Sequence, residues 1–227
     1  MKATAVLPIL ASLVSSTPLE LEDRQSSCPA IHVFGARETT AAQGYGTSQG
    51  LVNMVTQAYS GSTAEAIVYP ACGGQSSCGG VSYDQSATQG TAAVVKAVTD
   101  LNSRCPDTKI VLIGYSQGGQ IMDNALCGGA GATLTGTALE AVKVGIFMGD
   151  PHNVNGLPYN VGTCTAGGFA ARPSGYQCSP ASPDILQSYC DATDPYCCNG
   201  NDANSHQQYV NKYGQQALTF IKGLLDA

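Results

Sequence analysis

The sequence Ile110-Val111-Leu112-Ile113-Gly114-Tyr115-Ser116-Gln117-Gly118-Gly119-Gln120-Ile121-Met122 passes from a continuous aliphatic run, through a glycine-flanked serine, into a helical pattern. The run has the length and β-branched content of a strand buried on both faces, as strands of parallel sheets are. The five residues Gly114 to Gly118 fit G-x-S-x-G with a strand before and a helix after, the context of a nucleophile elbow. A turn that sharp strains the serine backbone, and small residues two positions away on each side let strand and helix approach. The hydroxyl then stands at a helix N-terminus, where free N–H groups and the helix dipole favour a developing anion. A glycine-rich turn with an incidental serine would match the same five letters. The flanking strand and helix favour the nucleophile, so Ser116 is the first candidate.

Working outward, Ala30–Phe34, Ala66–Tyr69 and Val144–Met148 read as further strands beside Ile110–Gly114. Leu51, Val52, Val55 and Tyr59 mark one helix, and Val94, Val95, Val98 and Leu101 a second. Tyr209, Val210, Tyr213, Ala217, Phe220, Ile221 and Leu224 keep helical spacing near the C-terminus. Strands alternating with helices predict an α/β fold, a three-layer α/β/α sandwich around a central parallel sheet. Residues 156–204 differ. They hold five cysteines among Gly, Pro and Ser with no sustained period, and read as a stapled loop of the kind that often carries function.

The N-terminus reads as a leader. Lys2, an apolar stretch from Ala5 to Val14 and the small residues Ser15-Ser16-Thr17 predict a signal peptide over 1–16. The charged piece after it predicts a propeptide over 17–26, leaving 27–227 as a single domain. The ten cysteines then belong in an oxidising compartment and can all pair. Zinc fits poorly, because no C-x2-C pair occurs and His32, His152 and His206 are scattered. A net charge of −6 argues against nucleic acid and anionic membranes as partners. No second run is long and apolar enough to span a bilayer.

A serine nucleophile needs a base, and histidine suits neutral pH. His32 falls inside the first strand. His152 follows Asp150-Pro151 in an ordinary loop position. His206 comes after the stapled loop at the start of the last helix, in the order Ser, acid, His of α/β-hydrolases, and is the preferred base with His152 next. Asp184, Asp191, Asp194 and Asp202 precede it, as does Asp150. Asp194 stands out because Cys190 and Cys197 bracket it, and a bridge there would fix the carboxylate that orients the imidazole. Asp194-Pro195 is also readable as only a turn, and Asp150 remains the alternative acid.

With these residues in hand, the chain resembles the fungal acetylxylan esterases of the cutinase-like carbohydrate esterase family. Val33-Phe34-Gly35-Ala36-Arg37-Glu38-Thr39-Thr40, Tyr69-Pro70-Ala71-Cys72-Gly73-Gly74, the serine motif, and Tyr189-Cys190-Asp191-Ala192-Thr193-Asp194-Pro195-Tyr196-Cys197-Cys198 carry the likeness. The resemblance implies a cutinase-like α/β-hydrolase with Ser116, Asp194 and His206 as catalytic residues. It also implies Thr39 and Gln117 as the oxyanion hole. The disulfides it implies are Cys28–Cys105, Cys72–Cys78, Cys127–Cys178, Cys164–Cys198 and Cys190–Cys197. The expected protein is a secreted, monomeric esterase acting on acetylated xylan or another ester, with no metal or organic cofactor. Its rivals are a cutinase acting on longer aliphatic esters and an inactive secreted binding protein of the same fold. A lid-covered lipase fits less well, since no amphipathic lid segment is evident.

Overall fold

The computed structural model describes Met1 and residues 28–227. The signal peptide expected over 1–16 and the propeptide expected over 17–26 therefore lie, Met1 apart, outside the described residues. Strands β1 (Ile31–Ala36), β2 (Thr63–Ala66), β3 (Lys109–Tyr115), β4 (Val142–Met148), β5 (Asn160–Val161) and β6 (Leu186–Tyr189) form one sheet. Their order is β2-β1-β3-β4-β6-β5, and every pairing is parallel.

Alternation along the strands sends successive side chains to opposite faces, and both faces are covered. Phe34, Ala36, Ile110, Leu112 and Phe147 meet α2 (Tyr83–Arg104), α3 (Gln117–Cys127) and α4 (Gly136–Ala141). Val33, Val111, Ile113, Val144 and Ile146 meet α1 (Gln49–Ala58) and α5 (Tyr209–Leu225) on the other side. The layers are those predicted. Full burial of each such aliphatic side chain is worth roughly 1.5–3 kcal/mol, so the two central strands contribute most where the site is hung.

Local boundaries depart from the sequence reading in four places. The second strand sits at Thr63–Ala66, not Ala66–Tyr69. It is an edge strand with alternating exposure, so it never needed an apolar run. The apolar residues Ile67 and Tyr69 are buried past its end instead. Helix α2 starts at Tyr83, well before the first apolar marker Val94, because Ser82 and Gln85 form a reciprocal capping box. The cysteine-rich stretch is not all loop: it contributes β5 and β6, which extend the sheet beyond β4. His206 does not open the last helix but lies in a one-turn 3-10 helix, Ser205–Gln207, just ahead of it.

All ten cysteines are paired, as Cys28–Cys105, Cys72–Cys78, Cys127–Cys178, Cys164–Cys198 and Cys190–Cys197. No described helix is long and apolar enough to cross a membrane.

Candidate active site

The chain leaves β1 towards α1 on one face and β3 towards α3 on the other. Neighbouring strands whose connections diverge leave a crevice at their C-terminal ends, where ligands of open α/β sheets bind. Ser116 stands there, between β3 and α3, with φ 52° and ψ −121°. A non-glycine residue held in so sparse a region costs about 1–3 kcal/mol. Its N–H donates to the Met148 carbonyl at 2.8 Å, which holds the turn against β4. The flanking glycines are needed for space. A Cβ on Gly114 would come within 2.2 Å of the Gly118 carbonyl oxygen, and one on Gly118 within 2.3 Å of the Ala36 carbonyl oxygen.

His206 faces the same crevice, and its Nδ1 lies 2.7 Å from Asp194 Oδ2. Asp194 is wholly buried and fully bonded. Its Oδ2 also accepts from the Tyr209 hydroxyl at 2.7 Å, and its Oδ1 from the N–H groups of Tyr196 (2.6 Å) and Cys197 (3.2 Å). Burial alone would raise this carboxyl. The hydrogen bond and charge of His206, with those of Tyr196 and Tyr209, outweigh it and hold the group below its ordinary value. A buried carboxylate so kept ionised fixes the imidazole and offsets the positive charge a protonated ring would carry. Gly149 makes the room: it has φ 64°, and a Cβ there would lie 2.7 Å from His206 Cε1. The Tyr115 hydroxyl donates to the His206 carbonyl at 2.5 Å, tying the histidine back to β3.

Ser116, His206 and Thr39 line one cavity of about 360 Å³ together with Glu38, Thr40, Tyr83, Phe169, Tyr196 and Gln207. Gln117 is the first residue of α3, where an N–H has no acceptor within the helix. Its side chain is committed elsewhere, accepting from Ser86 Oγ at 2.8 Å and donating to the Cys72 carbonyl at 3.0 Å. Only its backbone N–H remains for an oxyanion. Thr39 is carried on a loop that Arg37 pins from below. The buried Arg37 guanidinium donates to the carbonyls of Ala41 (3.0 Å) and Tyr69 (2.6 Å), and Tyr69 returns a bond to the Arg37 carbonyl at 2.7 Å. A larger hollow of about 630 Å³ lies by Thr108 and Lys109, at the N-terminal ends of β3 and β4, and holds none of the candidate residues.

The other sequence candidates fall elsewhere. His32 is buried on β1 against Thr63, and burial, then Arg104, lower it to about 4. His152 bonds through Nδ1 to the Ala170 carbonyl at 2.6 Å, and its N–H donates to Asp150. Asp191 is bound by Lys212 and Tyr213, and Asp202 bonds the Asn204 N–H. Asp184 belongs to a 3-10 turn beside Ser182. Tyr209 and Gly149 were not singled out as site residues by sequence. Helical spacing shows Tyr209 as an apolar position, and nothing in its spacing marks the hydroxyl that reaches Asp194.

Asp150 is buried near the Asp123–Arg172 ion pair (2.6 Å), and burial, then the Asp123 charge, raise its carboxyl well above the ordinary range. A group whose folded pKa is raised supports stability below the unfolded value and loses that support as pH rises through the folded one. Asp150→Asn, neutral and still able to accept from His152 N–H, should therefore melt higher than the parent at pH 8, by roughly 2 °C or more. The gap should close towards pH 4. Thermal scans across that range test it, and a lower Tm for the variant at pH 8 would refute the burial argument.

Set beside known proteins, residues 27–225 match the family model described as Cutinase. A protein named acetylxylan esterase 2, from Talaromyces purpureogenus, is 59% identical, over 93% of this chain and 93% of its own. One named cutinase 11, from Verticillium dahliae, is 58% identical, over 100% of this chain and 78% of its own. The solved catalytic core of an acetylxylan esterase from Trichoderma reesei superposes with a TM-score of 0.83 at 60% identity. That alignment covers 87% of this chain and 99% of the solved one.

Proposed function

We infer that this chain, which belongs to the cutinase family, is a serine carboxylic ester hydrolase that removes acetyl groups from xylan outside the cell. The observation that carries the reading is one cavity presenting Ser116 and His206, with the imidazole held by a buried, ionised Asp194. In the proposed cycle Ser116 Oγ attacks the acyl carbonyl while His206 accepts its proton. Asp194 balances the imidazolium, and the oxyanion rests against the Gln117 N–H and Thr39. As the tetrahedral intermediate collapses and its C–O bond to the sugar breaks, His206 protonates the departing sugar oxygen, leaving an acetyl-enzyme. Water, deprotonated by His206, attacks that ester and releases acetate, restoring Ser116.

Relatives of nearly equal identity carry the names acetylxylan esterase and cutinase. The chemistry is common to both, so acyl length is what separates them. Initial rates on p-nitrophenyl esters from acetate to palmitate, with acetylated xylan alongside, decide it. The acetate ester and acetylated xylan should be cleaved and the palmitate ester left nearly untouched. A maximum at long chains with xylan left acetylated would replace this reading with the cutinase one.

A further inference from the structure

Phe169 has no place in the reaction just described, yet it is more than half exposed (58%) at the rim of the cavity that holds Ser116. Of the described residues other than Met1, only Val68, Phe169 and Tyr196 are large hydrophobics left exposed, and both aromatics among them line this cavity. An isolated exposed ring needs no explanation, but this one is held still. It packs edge-to-face with Tyr83, centroid to centroid 5.2 Å at 72°, and Tyr83 is fixed by a 2.8 Å bond from its hydroxyl to Gln120 of α3. The Phe169 N–H donates to the Tyr196 carbonyl at 3.0 Å. Next to it, a Cβ on Gly168 would lie 2.2 Å from the Pro151 carbonyl oxygen, so the backbone is pressed flat against the loop after β4. Three residues on, Arg172 locks the segment to α3 through its buried ion pair with Asp123 at 2.6 Å. A buried ion pair is poor evidence of added stability, but removing either partner is strongly destabilising, so it fixes position.

We propose that Phe169 is a specificity-determining residue, the platform on which a sugar ring of the leaving alcohol stacks. The assignment rests on the esterase reading above and adds the side of the ester to which the ring belongs. An acetyl group needs room for one methyl beyond the carbonyl. The Tyr196 ring, 4.6 Å from the His206 imidazole, already stands beside the reacting groups. The Phe169 ring, more exposed at the rim than Tyr196 (58% against 42%), is left for the alcohol to meet. A pyranose with equatorial substituents presents a flat face of C–H bonds, which suits the electron-rich face of an aromatic ring. Because the ring is held in place before substrate arrives, little conformational freedom is lost on binding.

The test uses Phe169→Ala and the rescue variant Phe169→Trp. On p-nitrophenyl acetate, which has no sugar, Phe169→Ala should stay within about twofold of the parent in kcat/KM. On acetylated xylo-oligosaccharides it should fall about tenfold, mostly through KM, and Phe169→Trp should restore the parent value. Equal losses on both substrates, or a loss confined to longer-acyl p-nitrophenyl esters, would overturn the assignment. A readout that needs no turnover separates its fate from that of the esterase reading. Unacetylated xylohexaose, titrated into Ser116→Ala, should shift the Phe169 ring signals in NMR spectra, and bind about tenfold more weakly once Phe169→Ala is added. Absence of any shift, with p-nitrophenyl acetate still cleaved by the parent, sinks the platform and leaves the esterase standing.

Discussion

Ser116→Ala should fold as the parent does and lose at least about a thousandfold in turnover, because the oxyanion donors and substrate binding that remain do not replace the covalent step. Alanine suits this test because it keeps the strained φ of 52° while removing only the hydroxyl. Ser116→Gly offers a second arm. Glycine occupies that region without the Cβ penalty, so this variant should be equally inactive yet more stable than Ser116→Ala, by roughly 1 kcal/mol. Turnover of p-nitrophenyl acetate and urea midpoints for the two variants settle both points. Near-normal hydrolysis by either one would remove Ser116 from the mechanism. Equal midpoints would mean that the elbow stores no strain.

His206→Ala should be about as damaging as Ser116→Ala, since a nucleophile and its base act as a unit and either loss disables both. The same change at His152 should keep most of the activity. The contrast follows from what each ring touches. His206 is bound to an ionised carboxylate inside the cavity of Ser116, whereas His152 bonds a backbone carbonyl beside an Asp150 whose carboxyl burial has raised. Stopped assays on p-nitrophenyl acetate with both variants are sufficient. If the two exchanged phenotypes, the base would be His152, and Asp150 would have to be reconsidered as the acid.

The layers and the elbow were legible because they depend on periodicity and on volume. A run such as Ile110–Ile113 has little choice but a doubly covered strand, and Gly114 and Gly118 have partners at distances no Cβ tolerates. Strands β5 and β6 were not legible. Asn160-Val161 is too short to show a period, and Leu186-Gln187-Ser188-Tyr189 shows no alternation in its four residues, inside a segment dominated by turn formers. β6 exists because the edge of β4 was there to pair with, and β5 because β6 was. In the candidate site, chain order and bracketing cysteines pointed to His206 and Asp194. The supports were invisible: Gly149 and Tyr209 matter through contacts with residues far away in sequence, and the rim aromatics Tyr83 and Phe169 through a shared edge. Spacing along the chain carries no signal for any of these.

Asp194 lies between Cys190 and Cys197, and the neighbouring Cys164–Cys198 bridge comes so near that the sulfurs of Cys164, Cys190 and Cys198 lie within 4.8 Å of one another. The Cys190–Cys197 bridge spans too few residues to restrain the unfolded chain much, so its share of global stability belongs at the low end of roughly 2–4 kcal/mol. Its effect on the acid is of another kind, because orienting an imidazole tolerates only about half an ångström of error. Opening that bridge is therefore expected to cost the carboxylate its aim more than it costs the sheet its stability, since the sheet rests on its aliphatic strands.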